Sequence, residues 1–304
     1  SAYCGNHFKR LKTFKEMQMG FIREPAVSNM FYPGHPITLK SDIVRYLDES
    51  RFDRIPGDIV GVISPHAGYM YSGPVAAYGY KAVSESAYDV VIVIAPSHRK
   101  YFKGAAIIEK GGYKTPIGIV EIDEEITGRL LQNSPLIQNN IDVHEQEHSL
   151  EVQIPFLQTV LKDFGLVPVI MGVQDSAICE ELSEVIHMAL QSTGKKALIV
   201  GSTDLSHYYS YERAVQLDSD VIKRLKDFDI KGLYSDIGKE KCEACGAGPM
   251  LTTMMLSAKL GATHSEVLKY ANSGDTSGDK SAVVGYVSAV FYKNMGADRY
   301  ETFR

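Results

Sequence analysis

The sequence predicts one α/β domain with a central, mostly parallel or mixed sheet and helices on both faces. Three apolar runs rich in β-branched residues have the length of buried strands, and they span about 58–64, 90–95 and 197–200. Helical patterns separate these runs, and no linker or low-complexity stretch interrupts the 304 residues. Further strands are expected near the end of the chain, at 265–272 and 282–292. Alternating strands and helices of this kind are typical of an α/β domain.

Local signals predict where several helices begin. Ser41 is predicted to be the N-cap of one helix, and Gly73–Pro74 the start of the next. Asp123 is predicted to cap a third helix, and Ser149 to begin a fourth that Pro155 should kink or restart. The remaining expected elements are helices at 180–190, 211–227 and 229–237 and after Cys245, a hairpin-like excursion at 104–122, a strand at 166–171 and a loop at 274–278.

Composition excludes some classes of function. The net charge of -5 and the pI near 6.0 argue against a nucleic-acid-binding surface, which is normally basic. No apolar run approaches the roughly 20 residues that span a bilayer. Residues 1–22 are expected to be a basic extension without the apolar core of a signal peptide. Four cysteines are too few for a disulfide scaffold, so we expect a cytoplasmic protein with reduced thiols.

Polar side chains follow all three predicted core strands. His66 comes after the first strand, His98 after the second, and Asp204 and His207 after the third. Ligands bind beyond the carboxyl ends of the strands in open α/β sheets, so these side chains are expected to share one site. Cys245 precedes a predicted helix, whose dipole should favour its thiolate form.

Imidazole and thiolate side chains are suitable ligands for zinc, copper and iron. The candidates are His66, His98, His148, His207 and Cys245. We prefer Cys245 to Cys242 as a ligand and expect Cys242 to be a bystander, because no second Cys-x-x-Cys pair exists to complete a four-sulfur site. His148 is expected either to orient substrate and donate a proton or to cap the following helix. Asp204 and His207 are expected to orient the ligands and tune their acidity.

These motifs resemble the MEMO family in identity and order. The matching segments are Arg23–Val27, Phe31–Pro33, Pro65–Tyr69, Pro96–His98, Glu147–Glu151, Ser202–Asp204 with His207, Cys245–Gly246 and Tyr270–Asp275. The resemblance covers nearly everything after residue 22, which indicates a family domain at 23–304.

The resemblance implies a fold similar to LigB-type class III extradiol dioxygenases, which hold non-haem iron(II) with two histidines and a carboxylate. It implies that His66 and His98 are the two histidines, that Cys245 replaces the carboxylate, and that His207 is a pocket histidine. A thiolate ligand favours copper, zinc or a redox-poised iron. Iron(II) is the cofactor we expect first. The family is also associated with a radical-SAM protein, and its animal members bind phosphorylated receptor peptides and copper or iron.

Three functions remain open from the sequence. The first is metal-dependent redox chemistry on a small molecule, with His148, His207 and Asp204 as acid–base groups. The second is a non-catalytic metal carrier or peptide-binding adaptor that uses the same pocket. The third is a zinc-dependent hydrolase with Glu147 or Asp204 as the base. A homo-oligomer is compatible with each of them.

Overall fold

A nine-stranded mixed sheet forms the centre of the protein in a computed structural model that describes residues 20–294. The strands are β1 (Ile22–Arg23), β2 (Gly57–Ser64), β3 (Val90–Pro96), β4 (Ala105–Ile107), β5 (Gly112–Thr115), β6 (Gly118–Glu121), β7 (Ile137–Asn139), β8 (Gly165–Met171), β9 (Ala197–Ser202), β10 (His207–Tyr209), β11 (His264–Asn272) and β12 (Val283–Asn294). The order in the large sheet is β10-β12-β2-β9-β3-β8-β4-β7, with β11 paired to β12, and a second sheet has the order β1-β5-β6.

The predicted mixed sheet is confirmed. The four central strands β2, β9, β3 and β8 run parallel to their neighbours, whereas β12 is antiparallel to β2 and β4 is antiparallel to β8. The predicted basic extension lies mostly outside the described residues, but Ile22 already pairs with Gly112 between β1 and β5.

Helices cover both faces of the sheet, as predicted. Along β3, Ile92 and Ile94 point into one hydrophobic cluster and Val91 and Val93 into another.

No helix within residues 20–294 has the length and apolar character needed to cross a membrane. The helices are α1 (Pro36–Glu49), α2 (Tyr69–Val83), α3 (Glu124–Asn133), α4 (Ile141–Glu145), α5 (Ile154–Val160), α6 (Ser176–Thr193), α7 (Tyr211–Lys226), α8 (Ile230–Gly238), α9 (Ala247–Lys259) and α10 (Ser273–Ser277).

The predicted helix starts were partly wrong. Asp123 does cap α3, because its side chain accepts a hydrogen bond from the Ile126 amide. Ser41 lies inside α1, which begins at Pro36, where a proline needs no amide partner. Pro74 lies inside α2 and not at its start.

The segment before α5 also differs from the prediction. Ser149 does not begin a continuous helix: a 3-10 turn spans Glu151–Gln153, and α5 then starts at Ile154. Pro155 occupies the first turn of α5, where its missing N–H costs no hydrogen bond, so the predicted restart at this proline is confirmed. The predicted loop at 274–278 contains the short helix α10, because Asn272 and Asp275 cap it reciprocally.

Arg23 and Glu151 form a buried ion pair that ties the beginning of the described chain to the segment before α5. Their side chains are 1% and 0% exposed. Arg23 also donates to the main-chain carbonyls of His144, at 3.0 Å, and Glu147, at 2.7 Å. The other donors to the Glu151 carboxylate all follow Arg23 in the chain, and they are the amides of Ala26 and Val27 and the hydroxyl of Tyr32. The 23–32 segment therefore holds the 144–151 segment in place.

His144, whose carbonyl accepts from Arg23, is itself buried. Its Nε2 lies 3.1 Å from the Ala106 carbonyl oxygen and its Nδ1 lies 2.5 Å from the Tyr113 hydroxyl. A carbonyl oxygen only accepts, so Nε2 carries the proton and Nδ1 accepts from Tyr113. Burial lowers the pKa of His144 to about 3.

Replacing Arg23 with methionine should lower the free energy of unfolding by about 3–5 kcal/mol, because it leaves the Glu151 carboxylate buried without its cation. Arg45→Met is the matched control: this side chain on α1 is 51% exposed, and its loss should cost less than about 1 kcal/mol. Urea unfolding followed by circular dichroism measures both. Equally small losses would show that the buried pair does not hold the two segments together.

The neutral, buried His144 should make stability depend on pH. Its pKa is about 3 when folded and near 6.5 when exposed, so between these values only the unfolded chain takes up the proton. Stability should fall as pH drops through this window, by up to about 1.4 kcal/mol per pH unit for this group. Urea unfolding measured between about pH 4.5 and about pH 7 should give a shallower slope of unfolding free energy against pH in His144→Gln than in the parent protein. His264→Gln, a change at an exposed histidine of β11, should keep the parent slope; the same slope in all three proteins would contradict the assignment.

Candidate metal centre

Three neighbouring parallel strands deliver the polar side chains to one edge of the sheet. The strands β2, β9 and β3 are adjacent, and Ser64 at the end of β2 is in register with Ser202 at the end of β9. His66 follows β2, His98 follows β3 and Asp204 follows β9. The carboxyl ends of these strands therefore meet, as the sequence predicted.

Three imidazoles converge at this edge: His66, His98 and His148. One ring nitrogen from each lies within 4.8 Å of those of the other two. The ring centroids are 5.1 Å apart for His66 and His98, 5.5 Å for His66 and His148, and 4.7 Å for His98 and His148. The His66 side chain is 2% exposed and that of His98 is 32% exposed, so the group opens to solvent on the His98 side. His148, expected from the sequence to orient substrate, thus lies within the imidazole group.

The Glu147 carboxylate holds two of these rings. Its Oε1 lies 3.0 Å from Nδ1 of His98 and 3.2 Å from Nδ1 of His148. It also accepts from the main-chain amides of His98, His148 and Ser149. Burial alone would raise the pKa of Glu147, but these hydrogen bonds outweigh burial and lower the pKa well below its usual value. An ionised carboxylate only accepts, so each ring donates an Nδ1–H to Glu147, and Nε2 is the nitrogen that remains for a metal ion.

The tautomer of His66 follows from the partners of Ser202. The Ser202 hydroxyl donates its one proton to the Ser149 carbonyl at 2.7 Å and accepts from Gln153 Nε2 at 2.8 Å. Gln153 Nε2 is fixed as the donor because it also lies 3.0 Å from the Pro65 carbonyl. Nδ1 of His66, at 2.9 Å from the Ser202 oxygen, must therefore donate. Nε2 of His66 therefore carries no proton and keeps its lone pair.

Burial and charge keep His66 neutral. Burial lowers the pKa of His66 well below its usual value, and the neighbouring His98 and His148 imidazoles lower it further. A neutral imidazole is the form that ligates a metal ion.

Cys245 lies beside His66. Its Sγ is 3.2 Å from Nε2 of His66 and accepts from the Asp204 amide at 3.3 Å. Burial, with a contribution from the Asp204 carboxylate, raises the pKa of the Cys245 thiol to about 12. The expectation that the helix start would favour a thiolate is therefore wrong, because desolvation outweighs the helix dipole. Cys242 is 2% exposed and packs in the hydrophobic core.

Asp204 and His207 lie around this group. Asp204 Oδ1 accepts from the His66 amide at 2.8 Å, and its Oδ2 is 4.0 Å from Nε2 of His66. Burial raises the pKa of Asp204 to about 6. His207 lies outside the group of three imidazoles, and its Nδ1 is 2.7 Å from the Leu205 carbonyl, to which it donates. His207 lowers the pKa of Asp204 by less than burial raises it.

The donor set fits a transition metal ion. Three imidazoles converge, and a sulfur lies next to one of them. Nitrogen and sulfur donors suit zinc, copper and iron, whereas magnesium and calcium require oxygen ligands. Each imidazole also has an Nδ1 partner that fixes its orientation, as ligand histidines in metal sites do.

Sequence reasoning missed the roles of three residues here. Glu147 was considered only as a base, although its carboxylate binds two rings. Ser202 and Gln153 were given no role, although together they set the His66 tautomer. The position of Ser202 at the end of a core strand was the available signal, whereas Gln153 acts through a contact that no local pattern reveals.

Comparison with known proteins identifies the family. The family model described as "Memo-like protein" matches residues 23–290. The chain belongs to this family. The resemblance drawn from the motifs is thereby confirmed.

Other Memo-like proteins match almost along their full length. A MEMO1 family protein of Methanosarcina mazei is 37% identical over 88% of this chain and 98% of its own. One of Sulfolobus acidocaldarius is 38% identical, over 89% of this chain and 99% of its own.

A crystal structure of an uncharacterized Escherichia coli K12 protein aligns with 76% of this chain and 99% of its own, at a TM-score of 0.48 and 12% identity.

Removing the Ser202 hydroxyl should weaken metal binding. In Ser202→Ala, Nδ1 of His66 loses its partner, so the proton is free to move to Nε2. We expect zinc affinity to fall about 10- to 100-fold, the usual effect of losing a partner of a ligand histidine. Competition titration with a chromogenic chelator measures the affinity. Ser288→Ala, at a buried serine of β12, is the control and should bind as the parent does; equal affinities in all three proteins would refute the tautomer role.

Proposed function

We propose that this Memo-like protein binds a transition metal ion through Nε2 of His66, His98 and His148, with the Cys245 sulfur as a further ligand. The observation that carries the proposal is the approach of the three imidazoles to within 4.8 Å at their ligand atoms. The partners of their Nδ1 atoms support it, because they engage Nδ1 of each ring and leave Nε2 as the ligand atom. Iron(II) is the ion we propose first, with copper or zinc as alternatives.

We propose that the bound ion serves redox chemistry on a small molecule. Iron or copper would supply one-electron chemistry and polarise a bound group. The substrate would approach from the solvent side, where His98 is 32% exposed. Asp204 would hold or release a proton at Oδ2, since burial raises its pKa to about 6 and thus close to neutral pH. His207, whose proximity lowers the pKa of Asp204, would assist this transfer.

A non-catalytic metal carrier is the second candidate. The observation that favours it is the Cys245 sulfur, 3.2 Å from Nε2 of His66, because sulfur and imidazole together hold copper(I) well. In this candidate a peptide would bind over the same opening. Association with a radical-SAM protein is proposed for either candidate. A zinc-dependent hydrolase would have to use Asp204 as its base, because hydrogen bonds occupy the Glu147 carboxylate and keep its pKa low.

Metal binding should depend on His148 as well as on His66. Protein purified without chelator or affinity metal should contain a transition metal by elemental analysis. Metal affinity in His66→Ala and His148→Ala should fall by more than the 10- to 100-fold that loss of an outer partner costs. His264→Ala, at an exposed histidine of β11, should bind as the parent does. Parent-like metal binding in both His66→Ala and His148→Ala would end the proposal.

Oxygen uptake separates the two candidates. Protein loaded anaerobically with iron(II) and then given oxygen and catechol-type compounds should consume oxygen if the site is catalytic, and Asp204→Asn should slow this consumption. Tight copper(I) binding that protects the ion from oxidation, without turnover, would instead favour the carrier.

A further inference from the structure

The start of helix α9 lacks the usual cap. Its N-cap residue is Gly246, which has no side chain to bond the free amides of the first turn. Gln174, in the loop between β8 and α6, supplies the missing partner. Its Oε1 accepts from the Gly248 amide at 2.7 Å, and its Nε2 donates to the Cys245 carbonyl at 2.9 Å. One amide side chain thus holds the turn that carries Cys245, from a position 71 residues away.

The two glycines of this turn allow the close contacts. A Cβ at Gly248 would lie 2.8 Å from Cβ of Gln174, and a Cβ at Gly246 would lie 2.2 Å from the Ser202 carbonyl oxygen. Side chains at these positions would displace Gln174 or the end of β9. The Gly-x-Gly spacing after Cys245 therefore serves the packing of this turn.

Cys245 is held by its main chain on both sides. Its amide donates to the Asp204 carbonyl at 3.2 Å, and its carbonyl accepts from Gln174. The Thr203 hydroxyl accepts from the next amide, that of Gly246, at 2.9 Å. These bonds fix the Cα of Cys245, and the short cysteine side chain then brings Sγ to 3.2 Å from Nε2 of His66.

We propose that Gln174 is a positioning residue that holds the Cys245 sulfur in ligand position. This inference rests on the proposed function, in which the sulfur binds the metal. Loss of the Gln174 amide would leave the Cys245 carbonyl and the Gly248 amide without their partners, and the turn would move away from His66. The imidazole ligands would stay in place, because Glu147 and Ser202 hold them independently.

Cobalt(II) distinguishes sulfur ligation from imidazole ligation, because a sulfur ligand adds a near-ultraviolet charge-transfer band. We expect this band in the parent protein and its absence in Cys245→Ala, which assigns the band to this thiol. In Gln174→Leu the band should weaken strongly and cobalt affinity should fall about 10-fold. Gln174→Glu keeps an acceptor for the Gly248 amide but loses the donor to Cys245, so its band should be intermediate.

Gln158→Leu is the matched control. Gln158 is also half-buried, and its amide oxygen accepts from Thr115 in the small sheet; its variant should keep the full band. Gly248→Ala should reproduce the Gln174→Leu spectrum, because the added Cβ displaces Gln174. Thermal melting followed by circular dichroism shows which variants are folded. If Gln174→Leu is unfolded, Gln174→Glu and Gly248→Ala test the proposal in its place.

The outcomes separate the two proposals. A parent band that persists unchanged in the folded Gln174 and Gly248 variants would overturn the role of Gln174 alone. A parent protein that binds cobalt without any band in this region would overturn sulfur ligation, and with it the role of Gln174. Loss of the band with retained cobalt binding in Gln174→Leu would support the inference.

Discussion

The ionised Glu147 carboxylate is the group on which the site depends. Two imidazoles and three main-chain amides converge on its two oxygens. Burial of a carboxylate is unfavourable by itself, and this many donors make it favourable. The same bonds place His98 and His148 side by side and leave Nε2 of each ring outside the contact with Glu147. One buried charge therefore positions two of the three converging rings.

Glu147 in turn depends on the beginning of the domain. Arg23 donates to the Glu147 carbonyl and pairs with the buried Glu151 carboxylate. Phe31, from the same early segment, packs on the His148 ring with centroids 4.7 Å apart. These contacts explain why an arginine and an aromatic residue near the start accompany a Glu-His-Ser-Leu-Glu motif more than 100 residues later: they form one layer behind the imidazoles.

Electrostatics divides the site into two halves. Around His98 and His148 the nearest charge is the ionised Glu147, whose hydrogen bonds keep its pKa low. Around His66 burial dominates: it lowers the pKa of His66 and raises those of Asp204 and Cys245, to about 6 and about 12. The ionised Glu147 favours a cation nearby, and around His66 the Asp204 carboxyl, with its pKa raised to about 6, is suited to exchanging a proton near neutral pH.

The sequence alone determined the sheet, its three chemically important strand ends and the family, because buried strands and their terminal residues are local patterns. Thus His66, His98 and Asp204 were expected at one edge, and the order β2-β9-β3 brings them there. Only the tertiary structure decided that His148 joins the imidazoles, that Glu147 orients them, and that burial keeps Cys245 a thiol. Those outcomes depend on contacts between residues distant in the chain and on desolvation, and a local pattern encodes neither.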